Sequence, residues 1–386
     1  MRLLNQGRSH RILGIVMAAV GMSVVIPATA TPFDPNDFAS LGAVGGGALA
    51  IDTSAGTFNG NSGGVLFSPG GGAPDIAVFT FDGGSVLGDI TVSGSNSLAI
   101  LFLGSGTVAG TIDISGVGNA GGVGGRQGGV GGRVLEVDGH GEGPGRGLAG
   151  SRSPSNNGVG SGSGAGFGTE GQQGGAGITT RLGGAAYGDP ISVLLDAGSG
   201  GGSGGFNTQF NNGGTGGAGG GALEIGASTT LRFAGASIFA NGGDGGDGSG
   251  SGVSAGGGGG SGGGLLFHAF DIEIDALSLI NANGGVGGNL GRAHEGGCGG
   301  AGRIEVLHNT AGSFSNSGVV EAKLGAGNSR FCNPDPAINV LSIVARDDIG
   351  AVDNNTNNTA VAEPATLALF GIGLIGLGVV SRQRNV

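Results

Sequence analysis

Ala240-Asn241-Gly242-Gly243 returns forty-two residues later as Ala282-Asn283-Gly284-Gly285, and a degenerate third copy, Leu324-Gly325-Ala326-Gly327, stands the same distance further on. The parts around each copy keep one order. A glycine tract comes first, then a β-forming run: Ala222-Leu223-Glu224-Ile225, Leu265-Leu266-Phe267, or Arg303-Ile304-Glu305-Val306-Leu307. Further runs follow, Thr230–Phe233 and Ser237–Phe239 in one unit, Asp271–Ile274 and Leu277–Ile280 in the next, with Val319–Ala322 in the latter place of the third. A period of this length is the mark of stacked repeats, each unit burying its apolar face on its neighbour.

Working outward, short runs rich in Val, Ile, Leu, Phe and Thr recur at steps of about ten residues: Ala48–Ile51, Val65–Phe67, Ile76–Phe81, Ile90–Val92, Leu98–Leu103 and Thr111–Ile114. Each is bounded by Gly, Ser, Asn or Asp, the punctuation of strands. No part of the body shows sustained helical periodicity. The expected fold is all-β: a right-handed parallel β-helix or solenoid over residues 31–346, with a β-sandwich or irregular meander as the alternative. Glycine tracts such as Gly118–Gly132, Gly198–Gly221 and Gly242–Gly264 are expected to loop out of the coil on one side. Residues 139–189, rich in Gly and Ser, are expected to be a long insertion loop. The recurring Gly110-Thr-Ile-Asp-Ile-Ser-Gly116 and Ala-Asn-Gly-Gly steps resemble glycine-rich β-helical surface proteins of bacteria. That resemblance spans most of residues 76–327 and implies no activity.

The two ends read as addresses. Arg2, Arg8 and Arg11 precede an apolar stretch, Ile12–Ile26, and Ala28-Thr29-Ala30 supplies a small-residue cleavage site. This is the order of a Sec signal peptide over residues 1–30, with Ala28 and Ala30 at the cut and the Sec translocon as partner. At the other end a polar spacer, residues 347–361, leads to Ala362-Glu363-Pro364, an apolar run from Leu367 to Val380, and a basic tail carrying Arg382 and Arg384. Counted from Pro364, the run just reaches the ~17 residues a membrane helix needs, and its glycines are tolerated there. Arg382 and Arg384 would hold its end in the cytoplasm. Residues 362–386 resemble the PEP-CTERM sorting signal: Pro-Glu-Pro, an apolar glycine-spaced helix and an arginine cluster. Ala362 stands where that pattern has its first proline. The resemblance implies anchoring in the inner membrane of a Gram-negative cell, processing by an exosortase, and delivery to the cell surface or exopolysaccharide matrix.

Composition narrows the partners. Glycine makes up 99 of 386 residues and the net charge is −11, with no Trp, one Tyr and a single lysine, Lys323. Typical usage is ~7% glycine, yet no Gly-X-Y register persists, which excludes collagen. Nucleic acid is not an expected partner, since phosphate binding needs clustered positive charge. The two cysteines, Cys298 and Cys332, are expected to pair in an oxidising compartment.

Four patterns bear on chemistry. His294-Glu295-Gly-Gly-Cys298 copies half a metalloprotease motif, but that motif needs a helix and the glycines forbid one. Gly242–Ser249 copies one calcium nonapeptide, but Ser249 stands where a large apolar residue belongs, and two carboxylates are too few for calcium. Chance matches to phosphate loops lack a β-α-β context. Asp271, Glu273 and Asp275 share one strand face, and Glu305 or Arg303 on a neighbouring rung would complete a polysaccharide-cleaving site. Solvent-side residues of an alternating strand are the stronger reading, and aromatic sugar platforms are scarce. The expectation is a non-catalytic structural or adhesive protein with no metal or cofactor and with exopolysaccharide as the matrix partner. The alternative is a polysaccharide lyase or hydrolase on the same scaffold.

Overall fold

The computed structural model describes residues 32–69, 74–132, 139–152, 159–175, 181–188, 195–207, 212–249, 253–289, 294–327, 332 and 338–350. From Ile76 onward the chain visits three sheets in fixed rotation, one strand per sheet per turn. Sheet I receives β5 (Ile76–Phe81), β8 (Ser97–Phe102), β11 (Ala222–Ala227), β14 (Gly264–Ala269), β17 (Arg303–Asn309) and β20 (Leu341–Arg346). Sheet II receives β6 (Ser85–Leu87), β9 (Gly106–Val108), β12 (Thr230–Phe233), β15 (Asp271–Ile274) and β18 (Phe314–Asn316). Sheet III receives β7 (Ile90–Ser93), β10 (Thr111–Asp113), β13 (Ser237–Phe239), β16 (Leu279–Asn281) and β19 (Val319–Glu321). Every pairing among these strands is parallel. The architecture is nearly all β and that of a solenoid; the one short helix described is a 3-10 turn at Pro35–Asp37.

The register explains the sequence pattern. Side chains alternate across a strand, so one inward residue per pair recurs at the same height on every rung. Ile90, Ile112, Ile238 and Ile280 stack as a ladder ending in Val320. Phe79, Ile100, Ile225, Phe267, Val306 and Ile343 form a second row, and Ala77, Leu98, Leu223, Leu265, Ile304 and Leu341 a third. Phe81, Phe102, Phe233 and Phe267 are fully buried inside the coil. Gly106 is glycine for a local reason: a Cβ there would stand 2.2 Å from the Phe102 ring. Sheet I is buried on its outer face as well, where Val78, Leu101 and Leu266 pack with Leu195, Ala197, Ile349, Phe33 and Phe38.

The start of the coil is closed differently. β1 (Leu49–Asp52) pairs with β7, and β2 (Thr57–Phe58) and β3 (Asn61–Ser62) turn back as an antiparallel meander. β4 (Val65–Phe67) then lies antiparallel on β5.

The glycine tracts do leave the coil at one corner, between a sheet III strand and the next sheet I strand, but they are not free loops. Ile76 pairs with Ser97, a step of 21, whereas Ala222 pairs with Gly264, a step of 42. The difference is an excursion that runs out and back. Successive excursions lie side by side, and their hydrogen bonds to any one neighbour recur every third residue. That is the period of a polyproline II strand, not a β-strand. The segment Ala255–Gly263 shows the arrangement in full. Its N–H groups donate in rotation to the segment 199–205 (from 255, 258 and 261), to 294–300 (from 256, 259 and 262) and to 240–246 (from 257, 260 and 263). Its carbonyls accept from 214–220, 162–165 and 285–288. Six neighbours thus surround one backbone, and every N–H of the segment is satisfied.

Residues 139–189, expected to be an insertion loop, belong to this sheaf in their described parts. Gly147 donates to Gly200 O, Ser163 to Leu148 O, and Gly166 to Gly145 O. The segment is inserted between β10 and β11, and its described parts are packed because glycine gives more than a flexible chain. Glycine loses more freedom on ordering than any other residue, but it alone lets backbones meet with nothing between them. A Cβ on Gly204, Gly217, Gly258 or Gly299 would stand 1.8–2.0 Å from a carbonyl oxygen of the next segment. Gly-Gly-X triplets mark these segments, as in Gly213-Gly214-Thr215-Gly216-Gly217-Ala218.

Replacing Gly258 with Ala is therefore expected to lower stability by about 1–3 kcal/mol, the usual range for an overpacked core. Gly47→Ala, where a Cβ meets nothing within 4 Å, is expected to leave the thermal midpoint nearly unchanged. Parallel melts of the two variants measure the difference.

Candidate functional site

The expected sorting residues Glu363, Pro364, Arg382 and Arg384, the apolar run 367–380 and the signal-cleavage residues Ala28 and Ala30 lie outside the described residues. Among the described residues no helix is long and apolar enough to cross a membrane. Cys298 and Cys332 are joined as a disulfide, Cα to Cα 5.1 Å, across a separation of 34 residues. Cys298 is itself a sheaf residue, and its carbonyl accepts from Gln172 N–H. The bond thus ties the inner sheaf to the chain just before β20. Neighbouring Glu295 is buried, and His294 contributes its carbonyl to Gly256 N–H. Here the metalloprotease-like string forms part of the packed sheaf.

The carboxylates on β15 and of Asp275 just after it support the coil. Asp271 Oδ1 accepts from Ser313 N–H at 2.8 Å and from Ser313 Oγ at 2.7 Å, one rung on. Glu273 pairs with Arg232 of the previous rung at 3.4 Å. Asp275 accepts from Gly235 N–H, Leu277 N–H and Ser278 Oγ. Arg303 and Glu305 are not beside them, because β17 belongs to sheet I and β15 to sheet II. Asp244 and Asp247 occupy the X positions of two triplets, and each carboxylate accepts an N–H from the next excursion, from Val286 at 2.7 Å and Asn289 at 2.6 Å. Among the described residues no group of three His, Cys, Asp or Glu side chains is placed to hold a metal ion.

Two polar clusters escaped the sequence reading. On the outer face of sheet I, Glu224 Oε1 lies 2.9 Å from His268 Nε2 and accepts Phe33 N–H at 2.8 Å, all in a buried setting. Glu224 and His268 sit within six-residue strands buried along their whole length. The signal was available: a charged residue inside a run too apolar to be half exposed. Where sheet I meets the sheaf, Tyr187 donates to Ala197 O and receives Ser199 Oγ at 3.1 Å. Burial pushes its phenol above the ordinary value. Arg303 donates to Tyr187 O at 3.0 Å and lies over the Phe167 ring. Burial raises the Asp196 carboxyl, against the pull of Arg303 and Arg126. These clusters join parts of the fold, and a cavity of about 190 Å³ lined by Phe33, Asn36, Ser228, His268 and Asp348 adjoins the first of them.

A broad concavity lies along the corner where excursions leave sheet III. It measures about 890 Å³ and is lined by Ser115, Asn241, Asp244, Asn283, Glu321 and Lys323 among others. Asn241 Oδ1 accepts Asn283 N–H, and Asn283 Oδ1 accepts Lys323 N–H, both at 2.8 Å. The recurring Ala-Asn-Gly-Gly asparagines are thus a ladder that steps from rung to rung along the groove.

Against known proteins, one family model matches: the PEP-CTERM protein-sorting motif, over residues 360–384. The motif implies an exported protein processed at the membrane, with exosortase as the processing partner. No curated protein and no solved structure matches the chain.

Two outcomes follow. Cys298→Ser/Cys332→Ser should lower stability by about 3 kcal/mol through the lost loop constraint, read by denaturant unfolding. Hydrogen bonds from Gly235, Ser278 and Leu277 hold the Asp275 carboxyl below its ordinary 3.8. Its contribution is then complete above about pH 4 and is lost as pH falls through the lower folded value. Acid unfolding of Asp275→Asn should lack that component and show a shallower pH dependence below pH 4.

Proposed function

We propose that the protein is a non-catalytic structural or adhesive component of the cell surface or exopolysaccharide matrix. A Sec signal cut after Ala30 starts export. The run 367–380 then holds the precursor in the inner membrane, and exosortase releases it at the Glu363-Pro364 motif. The single observation that carries this reading is the match at residues 360–384, which follows a body made of stacked rungs. We read that body as a right-handed parallel β-helix, because ~98% of parallel crossovers take that hand. Its charge is dispersed, and the carboxylates on β15 and of Asp275 serve neighbouring rungs. The asparagine-lined corner groove supports exopolysaccharide as the ligand class, with hydrogen bonding in place of aromatic stacking.

An antiserum against the body would follow wild type and Glu363→Ala/Pro364→Ala through cell fractions. Wild type is expected to lose its tail and appear at the surface or in the matrix, while the variant stays full-length in the inner membrane. If both remain uncut in the membrane, Ala362 has cost the motif its recognition and the tail is an anchor only.

A further inference from the structure

Sheet I ends in a bare strand on each side. β4 is its first strand and β20 its last, and each has a partner on one edge only among the described residues. Both bare strands are apolar and open to solvent. Val65, Leu66 and Phe67 are 48%, 49% and 44% exposed, and Ile343 and Val344 are 45% and 37% exposed. Val319, on the last strand of sheet III at the same end as β20, is 47% exposed. Native proteins normally blunt such edges with charge, proline or a covering element, because a bare edge is a template for another strand. β4 carries no charge or proline, and β20 carries a charge only at its last residue, Arg346, which pairs with Asp348.

Charge is sparse at both ends, and near β20 it falls largely in pairs, Arg346 with Asp348 and Lys323 with Glu321. Thr53 to Ser68 contains no ionisable side chain, nor does Gly312 to Val320, nor Ile338 to Ala345. In a chain of net charge −11, copies approaching sideways repel one another, whereas copies approaching end to end bring together apolar strands with few and mostly paired charges.

We propose that a second copy of this chain is the partner of each end, and that the protein associates head to tail, β20 of one copy joining β4 of the next. The geometry is compatible. β20 runs parallel to its sheet and β4 antiparallel to β5, so a copy continuing the same coil presents β4 antiparallel to β20, an ordinary ladder. One end differs from the other, so the interface is heterologous and does not close on itself: the product is an open filament rather than a dimer.

The test uses the full chain in detergent, with sedimentation velocity across the micromolar range and electron microscopy of the particles. Leu66→Lys blocks one end and Val344→Lys the other; both sites are exposed, and circular dichroism with a thermal melt checks that each variant folds. Both retain the C-terminal segment, so association through that segment would persist in them. Wild type is expected to sediment faster as concentration rises and to show rods of several lengths. Each variant alone should stay at one sedimentation coefficient. Mixed, they retain one intact β20 end and one intact β4 end, and should form a dimer and nothing longer. Wild type that stays monomeric overturns the proposal. So does dimerisation of Leu66→Lys alone, which would mean that β20 ends meet each other symmetrically, and so does assembly that both variants leave intact.

Discussion

Backbone meets backbone in the glycine sheaf with no side chain between, and both halves of the molecule depend on that closeness. Each excursion leaves the coil at the corner after sheet III and must return to start the next sheet I strand. Left alone, such an excursion would expose its amides to water and impose a large entropic cost on the coil. Hydrogen-bonded on all sides, as Ala255–Gly263 is, it becomes a second core without hydrophobic side chains. The net worth of each hydrogen bond is modest, and the penalty for burying an unpaired amide is larger. Completeness of pairing therefore matters more than the strength of any single bond, and a Cβ at Gly258 would displace several pairs together.

The coil and the sheaf are stabilised by opposite means. Inside the coil, the ladder of Ile90, Ile112, Ile238 and Ile280 excludes water by apolar bulk. The sheaf does so by the absence of bulk. The Asp244 and Asp247 carboxylates work at the sheaf's periphery and the disulfide from buried Cys298 deeper within it, each fastening one excursion to the next. The polar clusters around Glu224 and Tyr187 lie where sheet I meets the segment of Phe33 and where it meets the sheaf, and fill the places where neither kind of packing fits.

Much of the coil was legible in the sequence because alternation and the forty-two-residue repeat act locally and in register. The strand positions around Leu223, Phe267 and Val306 follow from them directly. The sorting tail was legible too, since residues 360–384 carry a motif that is read as linear sequence. The sheaf was not foreseen, although the triplets Gly213-Gly214-Thr215 and Gly242-Gly243-Asp244 spell out its period of three. Glycine has no side chain whose character could announce an inside and an outside, so its tracts look alike whether they are packed or free. Placing the carboxylates of β15 beside Glu305 and Arg303 failed for another reason: sequence order along a coil does not say which of three faces a strand joins.

The threefold screw of the sheaf bears on how such a chain can change its length. An excursion lengthened by one residue would rotate every later N–H toward the wrong neighbour, and two residues would do the same in the other sense. Three restore the pairing. Ala222 to Gly264 spans 42 residues and Gly264 to Arg303 spans 39, a difference of one such triplet. Within a segment packed on all sides, as Ala255–Gly263 is, length can therefore change without loss of pairing only by whole triplets, a grammar imposed by the geometry of the backbone and not by any single side chain.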